Sequence, residues 1–211
     1  MEVQSWHNET IGKRVVEALI KNDFDAVYVP TAVEASNLIM KHVGPGTTVG
    51  FGGSMTIKDM GIQDKVRAAG GKVFDHGEAK SPEEVLETAR KEILSDLYLC
   101  SSNAVTLDGI LVNVDGMGNR VAAMSFGPKK VIIAIGINKI CKDEAAAFER
   151  LKTFASPMNN KRLERPNPCV ETGVCANCRL ESRICRLYSV MRKKPSRTDI
   201  TVIIIGENCG Y

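Results

Sequence analysis

Four cysteines fall within seventeen residues, Cys169, Cys175, Cys178 and Cys185, separated by five, two and six residues. Loops this short close at little extra entropic cost, and thiolates are soft donors, so the four sulfurs are expected to converge on one centre. In a reducing compartment such clustering favours a thiolate-bound metal over a disulfide framework. Zinc and a four-iron cluster each accept four thiolates, and the spacing fits neither signature. The single CxxC is not repeated as in a zinc ribbon, and the run departs from the ferredoxin pattern C-x2-C-x2-C-x3-C-P. Reduced thiols or opportunistic disulfides in a mobile loop are the alternative. Cys209 is a fifth candidate ligand, whereas Cys100 and Cys141, in or beside apolar runs, read as core packing.

A second group of chemistry-bearing residues lies between Ser101 and Ile140, where Asn103, Asp108, Asp115, Asn119, Arg120, Asn138 and Lys139 alternate with short apolar segments and glycines. Asn and Asp side chains compete for nearby backbone, so this density of them marks turns at strand ends, where binding sites are built. If convergent, they form a pocket for a small hydroxylated carboxylate or phosphate. Arg120 is expected to grip an anion bidentately and Lys139 to add a mobile point charge. Asp115 is a candidate base if buried, although Asp108 and Asp115, each followed by Gly, read equally well as turn residues. Upstream, Gly52-Gly53-Ser54 after a strand offers free backbone N–H groups and a hydroxyl to an anion, or forms only a tight strand-to-helix turn. His7, His42 and His76 match no metal or triad spacing. His42 reads as a solvated cap and His76 as a strand-end site residue.

The elements that must position these residues follow from period and caps. Thr10 to Asn22 has helical spacing, and Asp25 to Pro30 reads as a strand. Thr31 with Glu34 and Ser81 with Glu84 form capping boxes, the second followed by Pro82, so helices start there. Val85, Ala89 and Ile93 form the buried face of the second of these helices. Strands are expected at 47–51, 72–75, 96–100, 130–135 and 199–205, the last three continuous and apolar as in strands buried on both faces. Asp108-Gly109 and Asp115-Gly116 are hairpin-type dipeptides, and Lys142 to Phe154 reads as a helix. The alternation predicts an α/β layered sheet with a parallel portion. Residues 1–211 form one domain, and 157–197 form a Cys-rich excursion before the last strand.

SSNAVTLDG, VDGMGNRVAAMSFGPKKV and GINKI, with GFGGSMT upstream, resemble the LUD (lactate utilisation) domain family from about Lys13 to the C-terminus. The resemblance implies a ribose-5-phosphate isomerase/CoA transferase-like fold. It also implies a part in organic-acid (L-lactate) utilisation, with a small anionic metabolite and iron-sulphur oxidoreductase subunits as partners. Through those complexes it favours an iron-sulphur cluster over zinc at the four thiols. It assigns no catalytic residue. The alternatives are a stand-alone isomerase or acyl/CoA-type transferase acting on a sugar phosphate or thioester, and a non-catalytic assembly or regulatory module.

Composition limits the classes further. In 211 residues, 44% are hydrophobic and 25% charged, and the formal net charge is +3, too small and too diffuse for a nucleic-acid binder. The positive charge concentrates at 156–197, with ten Lys or Arg against three Glu, and this segment is the docking surface of the assembly reading. No apolar run is long enough to span a membrane, and the first eight residues lack a signal-peptide core, so a cytoplasmic protein without membrane insertion is expected. An oligomer is compatible with this composition.

Overall fold

The computed structural model describes residues 2–211. In chain order its strands are β1 (Asp25–Val29), β2 (Thr48–Phe51), β3 (Lys72–Asp75), β4 (Leu97–Cys100), β5 (Ala104–Thr106), β6 (Leu111–Asp115), β7 (Lys130–Gly136), β8 (Ile140–Cys141), β9 (Leu187–Met191) and β10 (Asp199–Ile205). Six of them form a sheet in the order β1-β10-β7-β4-β2-β3, with every pair parallel.

The continuous apolar runs lie at the centre of this sheet because both of its faces are covered. Val131, Ile133 and Ile135 of β7 join Ile200, Val202 and Ile204 of β10 in a core packed against the helix Val3–Lys21. Their alternate neighbours Ile132, Ala134, Ile203 and Ile205 join a second core that includes Ala35, Ile39, Ile57, Ile62 and Val66, from the helices Ala32–Met40, Met55–Asp59 and Ile62–Ala68. Burial on two faces explains why these strands show no polar alternation. The expected caps form: Thr31 Oγ1 accepts the Glu34 N–H, and Ser81 Oγ accepts the Glu84 N–H.

A second sheet, in the order β8-β5-β6-β9, lies at the carboxyl ends of the first. Asp108-Gly109 closes the β5–β6 hairpin, with Gly109 N–H donating to Thr106 O at 2.9 Å. Asp115-Gly116 makes no hairpin and leads into the helix Asn119–Ser125.

Two further expectations change. The helix expected from Lys142 to Phe154 runs from Glu144 to Arg150, continues through a π turn at Leu151–Ala155 and ends in the helix Ser156–Arg162. Pro157 lies inside this continuous helical run, directly after the π turn, so its missing N–H falls where the regular α ladder is already broken. The 157–197 excursion also contains a strand that its sequence pattern did not predict: Leu187–Met191 pairs antiparallel with β6, Leu187 opposite Asp115, and completes the second sheet. Among the described residues no helix is long and apolar enough to cross a membrane.

Candidate functional site

The site is a cleft of about 500 Å³ between the two sheets. The floor is set by a close approach. A Cβ at Gly50 in β2 would lie 2.8 Å from Glu92 Cα, so only glycine lets the helix Pro82–Ile93 rest directly on that strand. β2 then ends in Gly52-Gly53-Ser54. Gly53 has φ +66, a left-handed conformation suited to glycine, and Ser54 caps the helix Met55–Asp59. Gly52, Gly53 and Ser54 face Asn103, Asp115, Asn119 and Arg120 across one cleft, with Lys139 also in its wall. Asp108 and Asn138 are not part of this wall. Asp108 lies at the hairpin turn, its carbonyl held by Asn22. Asn138 fastens the C-terminal tail, accepting the Cys209 N–H and donating to Gly210 O.

Arg120 is organised differently from the expected anion grip. Its Nη1 donates to Ser101 O at 3.0 Å and Asn113 Oδ1 at 2.6 Å, and its Nη2 to Asn103 Oδ1 at 2.9 Å and Val114 O at 2.8 Å. Its Nε faces Asp115 at 3.7 Å. The fork therefore clamps the β4–β5 connection to β6, and its donors are spent on the protein. Asn103 and Asn113 complete the clamp: Asn113 Oδ1 accepts the Asn103 N–H, and Asn103 Oδ1 accepts the Val114 N–H. Asp115 Oδ1 accepts the Gly118 N–H at the start of the following helix.

Lys139 is buried, 3% exposed, and not the mobile charge expected of it. Its Nζ donates to Thr56 Oγ1 at 3.0 Å and Ser101 Oγ at 3.1 Å. Burial, with the nearby Arg150 and Arg120 guanidinium groups, pushes its ammonium down to about 7.

On the opposite wall is His76. Its backbone N–H and its Nδ1 both meet Glu92 Oε1 at 2.8 Å, and the Glu92 side chain is fully buried. Asn119 Nδ2 lies 3.5 Å from Glu92 Oε2. The Glu92 hydrogen bond raises the imidazole above its ordinary value against the opposing effect of burial. Asp75, His76 and Glu92 have ligand atoms mutually within 4.8 Å. However, Asp75 Oδ1 accepts the Gly77 N–H and its Oδ2 accepts from Gln63, so its carboxylate is already engaged, and only His76 and Glu92 of the three bond to each other.

The far rim of the cleft carries Arg162, Arg165, Arg183 and Arg186 from the excursion. Behind it, Cys169, Cys175, Cys178 and Cys185 line one smaller pocket. Arg183 holds that segment in shape, donating to Cys178 O at 2.7 Å and Cys185 O at 2.7 Å. Burial, together with the neighbouring Cys185, Cys175 and Cys178, pushes the Cys169 thiol up. Cys209 lies elsewhere, near Gly136 and Asn138. Cys100 is fully buried, and burial pushes its thiol up to about 12, as suits a packing residue.

The sequence pattern of the LUD domain family matches residues 12–205. The chain belongs to the LUD domain family. Association of that family with lactate utilisation thus applies to this chain at the level of the family. Among solved structures, it is similar to a DUF162 family protein from Deinococcus radiodurans, with 14% identity, a TM-score of 0.53, and coverage of 94% of this chain and 98% of that one. At that identity the likeness concerns the fold, an α/β domain with a mostly parallel sheet. Among curated proteins none matches the chain.

Glu92 and Asn113 of this LUD protein were not singled out as site residues from sequence, and the rim arginines were marked only as part of the basic 156–197 segment. Glu92 did leave a signal, since it stands three residues after Ala89 on the buried face of its helix, where a lone carboxylate needs a partner. Nothing in its own position marks Asn113, whose role comes from the β5–β6 hairpin and the turn into the following helix, which bring Asn103 and Arg120 to it, and the charge of the 156–197 segment marks the rim without placing it at the cleft.

Proposed function

We propose that this LUD protein binds a small organic carboxylate of the 2-hydroxy or 2-oxo acid type in the cleft and holds an iron-sulphur cluster at Cys169, Cys175, Cys178 and Cys185. The observation that carries this reading is the shared wall: Ser156, Arg183, Ile184 and Cys185 line both the cleft and the thiol pocket. A cluster bound there supplies one-electron transfer within reach of the ligand, in keeping with a role beside iron-sulphur oxidoreductase subunits.

The donor set fits. Four thiols are present without a disulfide among them. Four thiolates suit zinc as well as a four-iron cluster, and the preference for the cluster comes from the family's association with iron-sulphur oxidoreductases. Lys139 and the Gly52–Ser54 loop attract the carboxylate, and the Arg120 clamp keeps that wall rigid.

The test is anaerobic purification with iron and sulphide analysis, followed by electron paramagnetic resonance of the reduced protein with and without L-lactate or pyruvate. Iron and sulphide near four each per chain, with a signal that changes on adding either acid, support the reading. Stoichiometric zinc, or a cluster indifferent to both acids, overturns it.

A second reading, an isomerase or transferase acting on a sugar phosphate or thioester, draws on Arg162, Arg165 and Arg186 at the far rim, a place for a second anionic group. Stronger binding of ribose 5-phosphate or an acyl-CoA than of pyruvate would favour it.

A further inference from the structure

We infer that His76, positioned by Glu92, is the proton acceptor of the cleft and that its substrates are 2-oxo carboxylates carrying a proton on the carbon beside the carbonyl. This inference rests on the cleft reading above and not on the thiol site.

The geometry is that of an oriented base. Glu92 is buried at 0% exposure, and its Oε1 takes both the backbone N–H and the ring Nδ1 of His76. A carboxylate at Nδ1 fixes the proton there and leaves Nε2 with its lone pair. That edge of the ring faces the glycine loop: a Cβ at Gly53 would sit 3.7 Å from both Cε1 and Nε2, and His76 itself lines the cleft. Nε2 has no protein partner among the described residues, while the other ring nitrogen is fully engaged. This combination of a fixed tautomer, a buried orienting carboxylate and a free nitrogen in a cationic cleft is what general-base catalysis requires.

The step is a proton transfer. The Nε2 lone pair takes a proton from the carbon next to the carbonyl. The C–H electrons form the new C=C bond, and the carbonyl oxygen becomes an enolate. Return of a proton from the imidazolium restores the acid, so no oxidant or second reactant is consumed. In deuterated solvent the returned proton becomes a deuteron. Glu92 touches no substrate and is a positioning residue.

The experiment uses the full chain with pyruvate in D2O, following loss of the methyl signal by proton NMR, with saturation transfer to report binding. Wild-type protein is expected to exchange the methyl protons at least a hundredfold faster than buffer, the low end of what a positioned base contributes. His76→Asn is expected to bring the rate to background while saturation transfer persists, and Glu92→Gln to slow exchange about tenfold or more. Nitrogen NMR of the imidazole gives a reading that a purely structural pair would not move: Nε2 shifts when pyruvate is added, and Nδ1 stays protonated. Binding without exchange in the wild type, or exchange unaltered in His76→Asn, overturns the proton acceptor and leaves the cleft standing. Absence of binding overturns both.

Discussion

Replacing Lys139 by Met tests the central electrostatic feature of the cleft. A buried ammonium whose value falls from 10.5 to about 7 takes up fewer protons when folded than when unfolded at any pH between those values. Stability therefore rises with pH across that window, because the unfolded chain binds the extra proton. At about 1.36 kcal/mol for each unit, the burden of burying the charge is about 5 kcal/mol at pH 6 and falls to about 3 kcal/mol at pH 8.5. Met fills a similar volume and carries no charge. It removes hydrogen bonds to Thr56 and Ser101, but Thr56 Oγ1 still donates to Cys209 O and Ser101 Oγ to Ser102 O. Lys139→Met is thus expected to be more stable than wild type at pH 6, with an advantage smaller by about 2 kcal/mol at pH 8.5. Urea unfolding of both proteins, metal-free and reduced, at the two pH values measures this, and comparing them cancels the titration of shared thiols. The same variant should lose pyruvate binding. An advantage independent of pH, or a variant less stable at pH 6, would refute a lysine held near neutrality by burial.

Arg120→Ala should cost at least about 2 kcal/mol, since it removes four hydrogen bonds from a charged group, and lower Tm by roughly 4–8 °C. A melting temperature within a degree of wild type would return Arg120 to the role of ligand grip. For His76, whose value is raised by Glu92, the stabilising contribution is present below 6.5 and is lost as pH rises through the folded value. His76→Asn should therefore destabilise more at pH 6 than at pH 8 in urea unfolding, and equal losses would count against the pairing. Cys178→Ser should lower the iron content of anaerobically purified protein whereas Cys209→Ser should not, because Cys209 lies outside the thiol pocket. Similar iron loss in both would mean a different ligand set.

Much of the architecture was legible because its signals are local. The Thr31 and Ser81 caps, the Asp108-Gly109 turn and the doubly buried runs of β7 and β10 each follow from a few neighbouring residues. So did the association of the Gly52–Ser54 loop with Asn103 and Asn119, which needed only the rule that ligand loops gather at the carboxyl ends of parallel strands. What escaped depends on partners far away in sequence. Arg120 has the chemistry of an anion grip, but its four partners come from Ser101, Asn103, Asn113 and Val114, and only the folded hairpin brings them within its reach. Lys139 reads as a surface cation until the tail and the helix Met55–Asp59 close over it. β9 is short and flanked by arginines, so its strand character comes from pairing with β6 rather than from its own pattern.

That pairing has a consequence for how the two halves of the site communicate. Cys185 is followed by Arg186, whose backbone N–H donates to Asp115 O at 3.0 Å, and then by β9, which runs along β6. The last thiol is therefore one peptide from a bond to the cleft wall. The segment from Cys169 to Cys185 has few apolar residues of its own, so free energy from a bound cluster would supply much of its order. If the thiols hold a cluster, chelation is expected to loosen the start of β9 and the Arg186–Asp115 bond before the rest of the cleft. Asp115 in turn caps the helix carrying Asn119 and Arg120. Because linkage is reciprocal, a ligand that needs the closed cleft must strengthen cluster retention by the factor with which the cluster strengthens its binding. Proteolysis of the 157–197 segment with chelator, in the presence and absence of pyruvate, reads that coupling. Protection by pyruvate is the expected result, and cleavage at the same rate in both samples would mean that the cleft and the thiol pocket share a wall without sharing energy.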